Sequence, residues 1–198
     1  MYQNITTEQK GKIVIVTVNR PDKLNALNKN TIAEIGVAMN AAANDTSVGG
    51  IILTGAGTKA FVAGADISEF AAYSLEEGKA LSAHGHAVFN SIEACGKPVI
   101  AAVNGFALGG GCELAMACHM RVAAENAKFG QTGPMVGSFD GGYGAGLLAA
   151  HIGQKKAREI WFLTRSYDAK EALDMGLVNT VVPVKELEAE TVQWAREM

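Results

Sequence analysis

The chain has 198 residues, 48% of them hydrophobic and 19% charged, with a formal net charge of −3. That length fits one domain, or two small ones at most, and the composition excludes global disorder. The slight acidity gives no support to a nucleic-acid surface.

In chain order, the opening MYQNITTEQKGK has no apolar core region, so no secretory signal is expected. Ile13–Val18 is a β-branched run that reads as a strand, closed by Asn19-Arg20-Pro21. The loop NRPDKLNAL leads into a helix near Thr31–Ala43, with Ile32, Ile35 and Met39 among its apolar residues. Gly50–Leu53 is a second strand. It is followed by the glycine-rich GAGTKAFVAGADISEF, which ends in a helix start. A longer helix covers roughly Leu75–Ala94. Past the central stretch come a strand at Met120–Ala124 and a second glycine-rich loop opened by Phe129-Gly130-Gln131 and running through Gly146. Helices are then predicted near Leu147–His151, Lys155–Leu163 and Ala169–Met175, a strand at Asn179–Val184 and a last helix at Lys185–Met198. Strands alternate with helices, which favours an α/β fold in one domain over 1–198.

The central stretch, VIAAVNGFALGGGCELAMAC from Val99 to Cys118, is long enough for a membrane helix. Its three consecutive glycines, Asn104 and Glu113 argue against that reading. It reads instead as strand, glycine turn and helix. A helix beginning at the glycines directs unpaired N–H groups at a ligand. With Gly110 in the first turn, Glu113 is three residues on and shares its face. An N–H donor and a carboxylate side by side suit chemistry that passes through an enolate oxyanion. A tightly packed crossover without chemistry is the plain alternative.

Other patterns carry less. GAGTKA at 55–60 follows a strand, but no helix follows at once and GK[ST] is absent, so neither a dinucleotide loop nor a P-loop is supported. His84 and His86 are two apart on a helix and do not face each other, and no ligand set completes them, so no metal site is expected. No GxSxG elbow is present. Cys95, Cys112 and Cys118 are odd in number and lack CxxC spacing, which points to a reducing, cytoplasmic setting.

AFVAGADISEF (60–70), PVIAAVNGFALGGGCELAMAC (98–118) and NRPDKLNAL (19–27) together resemble the crotonase family, the enoyl-CoA hydratases and isomerases. The resemblance implies a spiral of β-β-α repeats acting on acyl-CoA thioesters with no tightly bound cofactor, and a homo-oligomer, a trimer or hexamer. It also implies an oxyanion hole at the N–H groups of Ala65 and Gly110, with Ala63, Gly64, Asp66, Ile67 and Gly109 around it. Lys23 is a candidate for a CoA phosphate, although a solvated lysine explains it as well. Glu113 takes the place of the first hydratase acid. The second acid would follow FGQ, where this chain has Gly133.

From Phe129 onward, FGQTGPMVGSFDGGYG and the segment through VVP resemble 1,4-dihydroxy-2-naphthoyl-CoA synthase of menaquinone biosynthesis. In the glycine-bearing form of that enzyme bicarbonate replaces the missing carboxylate. The resemblance maps its cradle onto Gln131, Thr132, Gly133 and Trp161, and substrate handling onto Ser138 and Asp140. Tyr73 is a loose counterpart of a mobile-loop tyrosine. Residues 1–128 lack this branch's marks, so two family members joined at FGQ, naturally or by design, would explain the chain. It also stops before the family's last C-terminal helices, so that part of the fold is expected to be incomplete. Three readings follow: an enoyl-CoA hydratase or isomerase with Glu113 and Asp140 as acid-base candidates, a naphthoyl-CoA synthase, and a non-catalytic acyl-CoA binder. The last helix, with Leu187, Val192 and Trp194, is expected to leave apolar surface open for association.

Overall fold

The structure, a computed structural model, describes residues 2–70, 72–138 and 143–198, with the side chains of Phe70 and Tyr143 left aside. A hairpin of β1 (Ile5–Lys10) and β2 (Ile13–Val18) starts a six-stranded sheet. β2 pairs in parallel with β3 (Gly50–Gly55), β3 with β5 (Val99–Val103), β5 with β7 (Met120–Ala124) and β7 with β10 (Thr180–Val182). A second sheet holds β4 (Ala60–Val62), β6 (Phe106–Leu108), β8 (Lys128–Gly130) and β9 (Tyr167–Asp168) in that order. The helices are α1 (Lys29–Asn44), α2 (Ile67–Phe70), α3 (Leu75–Glu93), α4 (Gly110–Ala117), α5 (Tyr143–Leu163), α6 (Ala169–Asp174) and α7 (Leu187–Glu197).

The chain repeats a β-β-α unit. β3-β4-α3, β5-β6-α4 and β7-β8-α5 each give their first strand to the large sheet and their second to the small one. Buried Asn104 fixes one crossing between the sheets: its amide donates to the carbonyls of Gly55, Gly57 and Ala60 and accepts from Gly55 N–H. β5 is buried at all its positions because both faces of the large sheet are covered. On one face Val16, Leu53 and Ala101 join Ile35, Ile92 and Leu114 in the main core. On the other, Ile15, Ile52, Ile100 and Val122 pack under Leu187, Val192 and Ala195 of α7.

Helix starts follow local chemistry. Asn28 accepts from Thr31 N–H at 2.8 Å and caps α1, and Ser74 with Glu77 forms a capping box at α3. Asp168 with Glu171 does the same at α6.

Several expectations need correction. β1, β4, β6, β8 and β9 were not foreseen as strands. Phe129 and Gly130 belong to β8, so the second loop begins at Gln131 and not at Phe129. The two helices expected near 147–151 and 155–163 are present as the two arms of α5, parted at Gly153, whose φ of 78° is outside the helical range, and the first arm begins earlier, at Tyr143. The last helix does not expose its apolar side: Leu187 and Val192 are buried against the sheet, and Trp194 is half-buried with its indole N–H on Glu190. Its stripe is covered by this chain's own second core. No helix among the described residues is long and apolar enough to cross a membrane.

Candidate functional site

β4 and β6 are parallel neighbours, with Ala60 opposite Phe106 and Val62 opposite Ala107. The turns beyond their carboxyl ends therefore emerge side by side. After β4, Gly64 (φ +117°) turns the chain, and residues 63–66 pair with the early loop. Ala63 N–H donates to Leu24 O at 3.1 Å, Leu27 N–H to Gly64 O at 2.8 Å and Asp66 N–H to Leu27 O at 2.8 Å. This parallel bridge between Leu27 and Ala65 does not use the Ala65 N–H, and Ala65 is exposed.

After β6, Gly109 (φ 48°) caps α4, and its N–H donates to Gly130 O of β8 at 2.8 Å. The helix's first backbone bond runs from Glu113 N–H to Gly109 O, 3.0 Å. The Gly110 N–H thus lies in the first turn, where a helix has no internal acceptor. α4 sits hard against β4: a Cβ on Gly111 would lie 1.9 Å from Val62 O. Leu27 touches both turns, for it pairs with Ala65 and its Cδ1 lies 3.7 Å from where a Cβ on Gly110 would stand. Sequence-predicted Ala65 and Gly110 are thereby brought together.

Glu113, in the same first turn, is 8% exposed. A carboxylate there is favoured by the positive end of the helix dipole. The neighbouring Cys112 thiol is pushed up to about 12 by burial, and the Glu113 charge adds to the effect. Asp66 and Ile67 flank Ala65, with Ile67 exposed at the start of α2. Asp66 is held below the usual carboxylate range by the Ser68 hydroxyl and then by Arg20. Lys23 is exposed on the short 3-10 turn Pro21–Lys23, and its charge contributes a little to that lowering.

Gln131 and Thr132 leave β8 beside α4. Thr132 Oγ1 is 3.8 Å from the place of a Cβ on Gly109. Gln131 is 1% exposed, and among the described residues neither its amide nitrogen nor its amide oxygen has a hydrogen-bond partner. Gly133 starts a 3-10 turn (Gly133–Val136) that closes when Ser138 N–H donates to Gly133 O at 3.0 Å. A Cβ at position 133 would lie 2.9 Å from Ser138 O. The position is therefore more than a place from which a carboxylate has been removed, since a larger residue must displace the loop.

Ser138 is exposed, and Trp161 is buried on α5 within the main core. Tyr73 is half-buried beside Lys29, Glu77 and His84. Asp140 lies outside the described residues. Among the described residues no group of three or more His, Cys, Asp or Glu side chains is arranged to hold a metal ion. Cavities of about 320 Å³ beside α7, reaching Thr17, Thr54 and Leu187, and of about 460 Å³ at Lys156, Arg165 and Asp174 are lined by none of the predicted site residues.

Sequence reasoning missed Arg20, Asn25 and Arg121. Arg20 joins Asp66, and buried Asn25 donates to the Ala56 and Ala60 carbonyls. Arg121 donates to the carbonyls of Ala115, Met116, Cys118 and Leu177 at the far end of α4. Arg20 and Asn25 stand in a loop already singled out. Their partners are 46 and 35 residues away or nearer in sequence, and no local pattern names them.

The chain matches a family model described as enoyl-CoA hydratase/isomerase over residues 8–198. It is similar to the crystal structure of an enoyl-CoA hydratase from Bacillus anthracis, with 36% identity and a TM-score of 0.95 over 98% of this chain and 76% of that one. An enoyl-CoA hydratase subunit from Geobacillus kaustophilus is 39% identical, with a TM-score of 0.93 over 99% of this chain and 75% of that one. An enoyl-CoA hydratase/carnitine racemase from Magnetospirillum magneticum is 36% identical, with a TM-score of 0.95 over all of this chain and 74% of that one.

Proposed function

Because this chain belongs to the enoyl-CoA hydratase/isomerase family and has its crotonase fold, we propose that it binds an acyl-CoA thioester and stabilises the derived enolate between the N–H groups of Ala65 and Gly110. The observation that supports this reading is the pair of turns at the carboxyl ends of β4 and β6, with Leu27 against both. When a nucleophile adds at the β-carbon, or a proton leaves the α-carbon, negative charge moves onto the thioester oxygen. Fixed donors aimed at that oxygen stabilise the transition state more than the ground state. Ala63, Gly64, Asp66, Ile67 and Gly109 shape the surroundings of the thioester. Lys23 and Ser138 lie on exposed loops where the CoA moiety and the acyl group would pass.

Glu113 is the acid-base group of this reading. Hydration adds the water oxygen to the β-carbon and a proton to the α-carbon; Glu113 takes the proton from the attacking water and, as the acid of the next step, delivers it to the α-carbon of the enolate. Hydratases of the family divide the work between two carboxylates, and Gly133 supplies none, so hydration of crotonyl-CoA is expected to be weak. Gly110→Pro removes one donor at a helix position that tolerates proline, and turnover should fall by about 10²–10³-fold. Glu113→Gln should lower it by about 10²–10⁴-fold. Unchanged turnover in both variants would sink the reading.

Gln131 favours a second reading. A buried amide with both ends unpaired among the described residues fits a small oxyacid anion that can accept from the NH2 and donate to the carbonyl, and bicarbonate is one. Bound there, bicarbonate would supply the carboxylate that position 133 lacks, with Gln131, Thr132 and the Gly133 backbone as its holders and Trp161 behind them. This is the naphthoyl-CoA synthase alternative, an intramolecular Claisen-type ring closure. Assays of crotonyl-CoA hydration and of ring closure, each with and without bicarbonate, separate the two. Dependence on bicarbonate that disappears in Gln131→Leu supports the second. Binding of acyl-CoA with neither activity would leave a non-catalytic binder.

A further inference from the structure

The Ala65 N–H can act as a donor only while residues 64–66 keep their direction, and no regular element holds them. The turn hangs on Leu24–Leu27, which is itself irregular: Leu24 and Asn25 are consecutive non-glycine residues in the left-handed region, with φ 50° and 58°. Such residues persist only where their surroundings over-determine them. Here the surroundings are four polar side chains, Asn25, Arg20, Asp66 and Ser68. Asn25, 0% exposed, accepts from Arg20 N–H at 3.0 Å and donates to the carbonyls of Ala56 and Ala60. The Arg20 guanidinium donates from Nη1 to Ala26 O and from Nη2 to Asp66 Oδ2, the latter at 2.8 Å. Ser68 Oγ donates to the other carboxylate oxygen at 2.6 Å.

The topology of these bonds matters. Ala26 precedes Leu27 and Asp66 follows Ala65, so one planar cation ties residues on either side of the Leu27–Ala65 bridge. The side chains of the ion pair are only 14% and 13% exposed, so solvent screens it less than a surface pair. We propose that Arg20 and Asp66 are positioning residues whose ion pair aims the Ala65 N–H at the thioester oxygen. The inference rests on the oxyanion reading above. A donor turned away by a fraction of an ångström loses its effect on the developing charge, while the contacts that bind the rest of an acyl-CoA remain.

The test reads polarisation directly. Cinnamoyl-CoA absorbs at longer wavelength when hydrogen-bond donors draw charge onto its carbonyl, so its red shift on binding reports the donors, not the melting temperature. The full chain should show a red shift that Gly110→Pro largely removes. Arg20→Met should cut the shift to less than about half while Kd for cinnamoyl-CoA stays within about threefold, and Asp66→Asn should cut the shift by a similar share. Arg20→Lys should fall between, because it keeps the charge but not the fixed fork. Circular dichroism checks that each variant is folded. Should Arg20→Met fail to fold, the near-isosteric Asp66→Asn carries the test. A full shift in a folded Asp66→Asn overturns the positioning role alone. A full chain with no red shift, or one indifferent to Gly110→Pro, overturns the oxyanion reading, and the positioning role falls with it.

Discussion

Gly111 has no side chain, yet it sets how closely the donor helix can lie against β4. A methyl group there would fall 1.9 Å from Val62 O, a backbone atom that cannot swing aside. Gly111→Ala should lower stability by about 3 kcal/mol or more, at the upper end of overpacking costs, and thermal melting reads it. Gly133 is a milder case, since its obstacle, Ser138 O, lies on an exposed turn. Gly133→Glu should fold with that turn displaced and should not raise crotonyl-CoA hydration; a clear gain would mean the loop yields and the position does accept a second acid. Among the cysteines, burial pushes Cys112 and Cys118 up to about 12, whereas Cys95 is half-buried. At pH 8 a thiol reagent should label Cys95 in the native protein, and Cys112 and Cys118 only after unfolding. Asp66 gives a pH signature. Its folded carboxyl titrates below the ordinary 3.8, so between the two values the unfolded chain binds more protons. The stability it contributes is complete above the ordinary value and is lost as pH falls through the lowered one. Melting temperatures of Asp66→Asn should therefore depend less on pH below about 4 than those of the parent.

At the scale of elements, α4 is secured at its far end by Arg121, which is 6% exposed and spreads its guanidinium over four carbonyl oxygens. Burial lowers its pKa from the usual value, yet a guanidinium keeps its charge in a protein. Arg121→Met would take the guanidinium donor away from all four carbonyls at the buried end of α4. A loss of about 3 kcal/mol is expected in denaturant unfolding. α5 bends at Gly153, whose φ of 78° suits no alanine, so Gly153→Ala should destabilise by about 1 kcal/mol or more. Helices were the legible part of the fold because their starts are written locally, in Asn28, in Ser74 with Glu77 and in Asp168 with Glu171. Long apolar strands such as β2 and β5 were legible as well. The small sheet was not: β4, β6 and β8 have three residues each, too few for a period of two to stand out. β1 was hidden by composition, since ITTEQK buries only Ile5 and half-buries Lys10. Within the candidate site, Gly110 and Glu113 could be read from their own segment, whereas Ala65 came only from family resemblance. The Arg20–Asp66 pair was out of reach because it exists only after two distant loops have met.

On the scale of the whole molecule, α5 leaves apolar surface open at its end. Phe162 is 79% and Leu163 48% exposed, next to a groove formed by Ala145, Ala149, Ala157 and Trp161. Self-association through this face is expected, and Phe162→Glu should shift sedimentation toward a smaller species. A parent that is already monomeric would refute this. The alternation of strands between two sheets also bears on how the protein is made. Each unit deposits one strand in the large sheet before its partner strand can enter the small one. The pairing of β4 with β6 must therefore wait until the ribosome has delivered residues 99–108. Until then a growing chain holds β3 with its hydrogen-bonding edge bare and its Ile-Ile-Leu core uncovered, a state open to sticking and to chaperone capture. The donor pair can form only once that interval has passed, after β5 and β6 have been made.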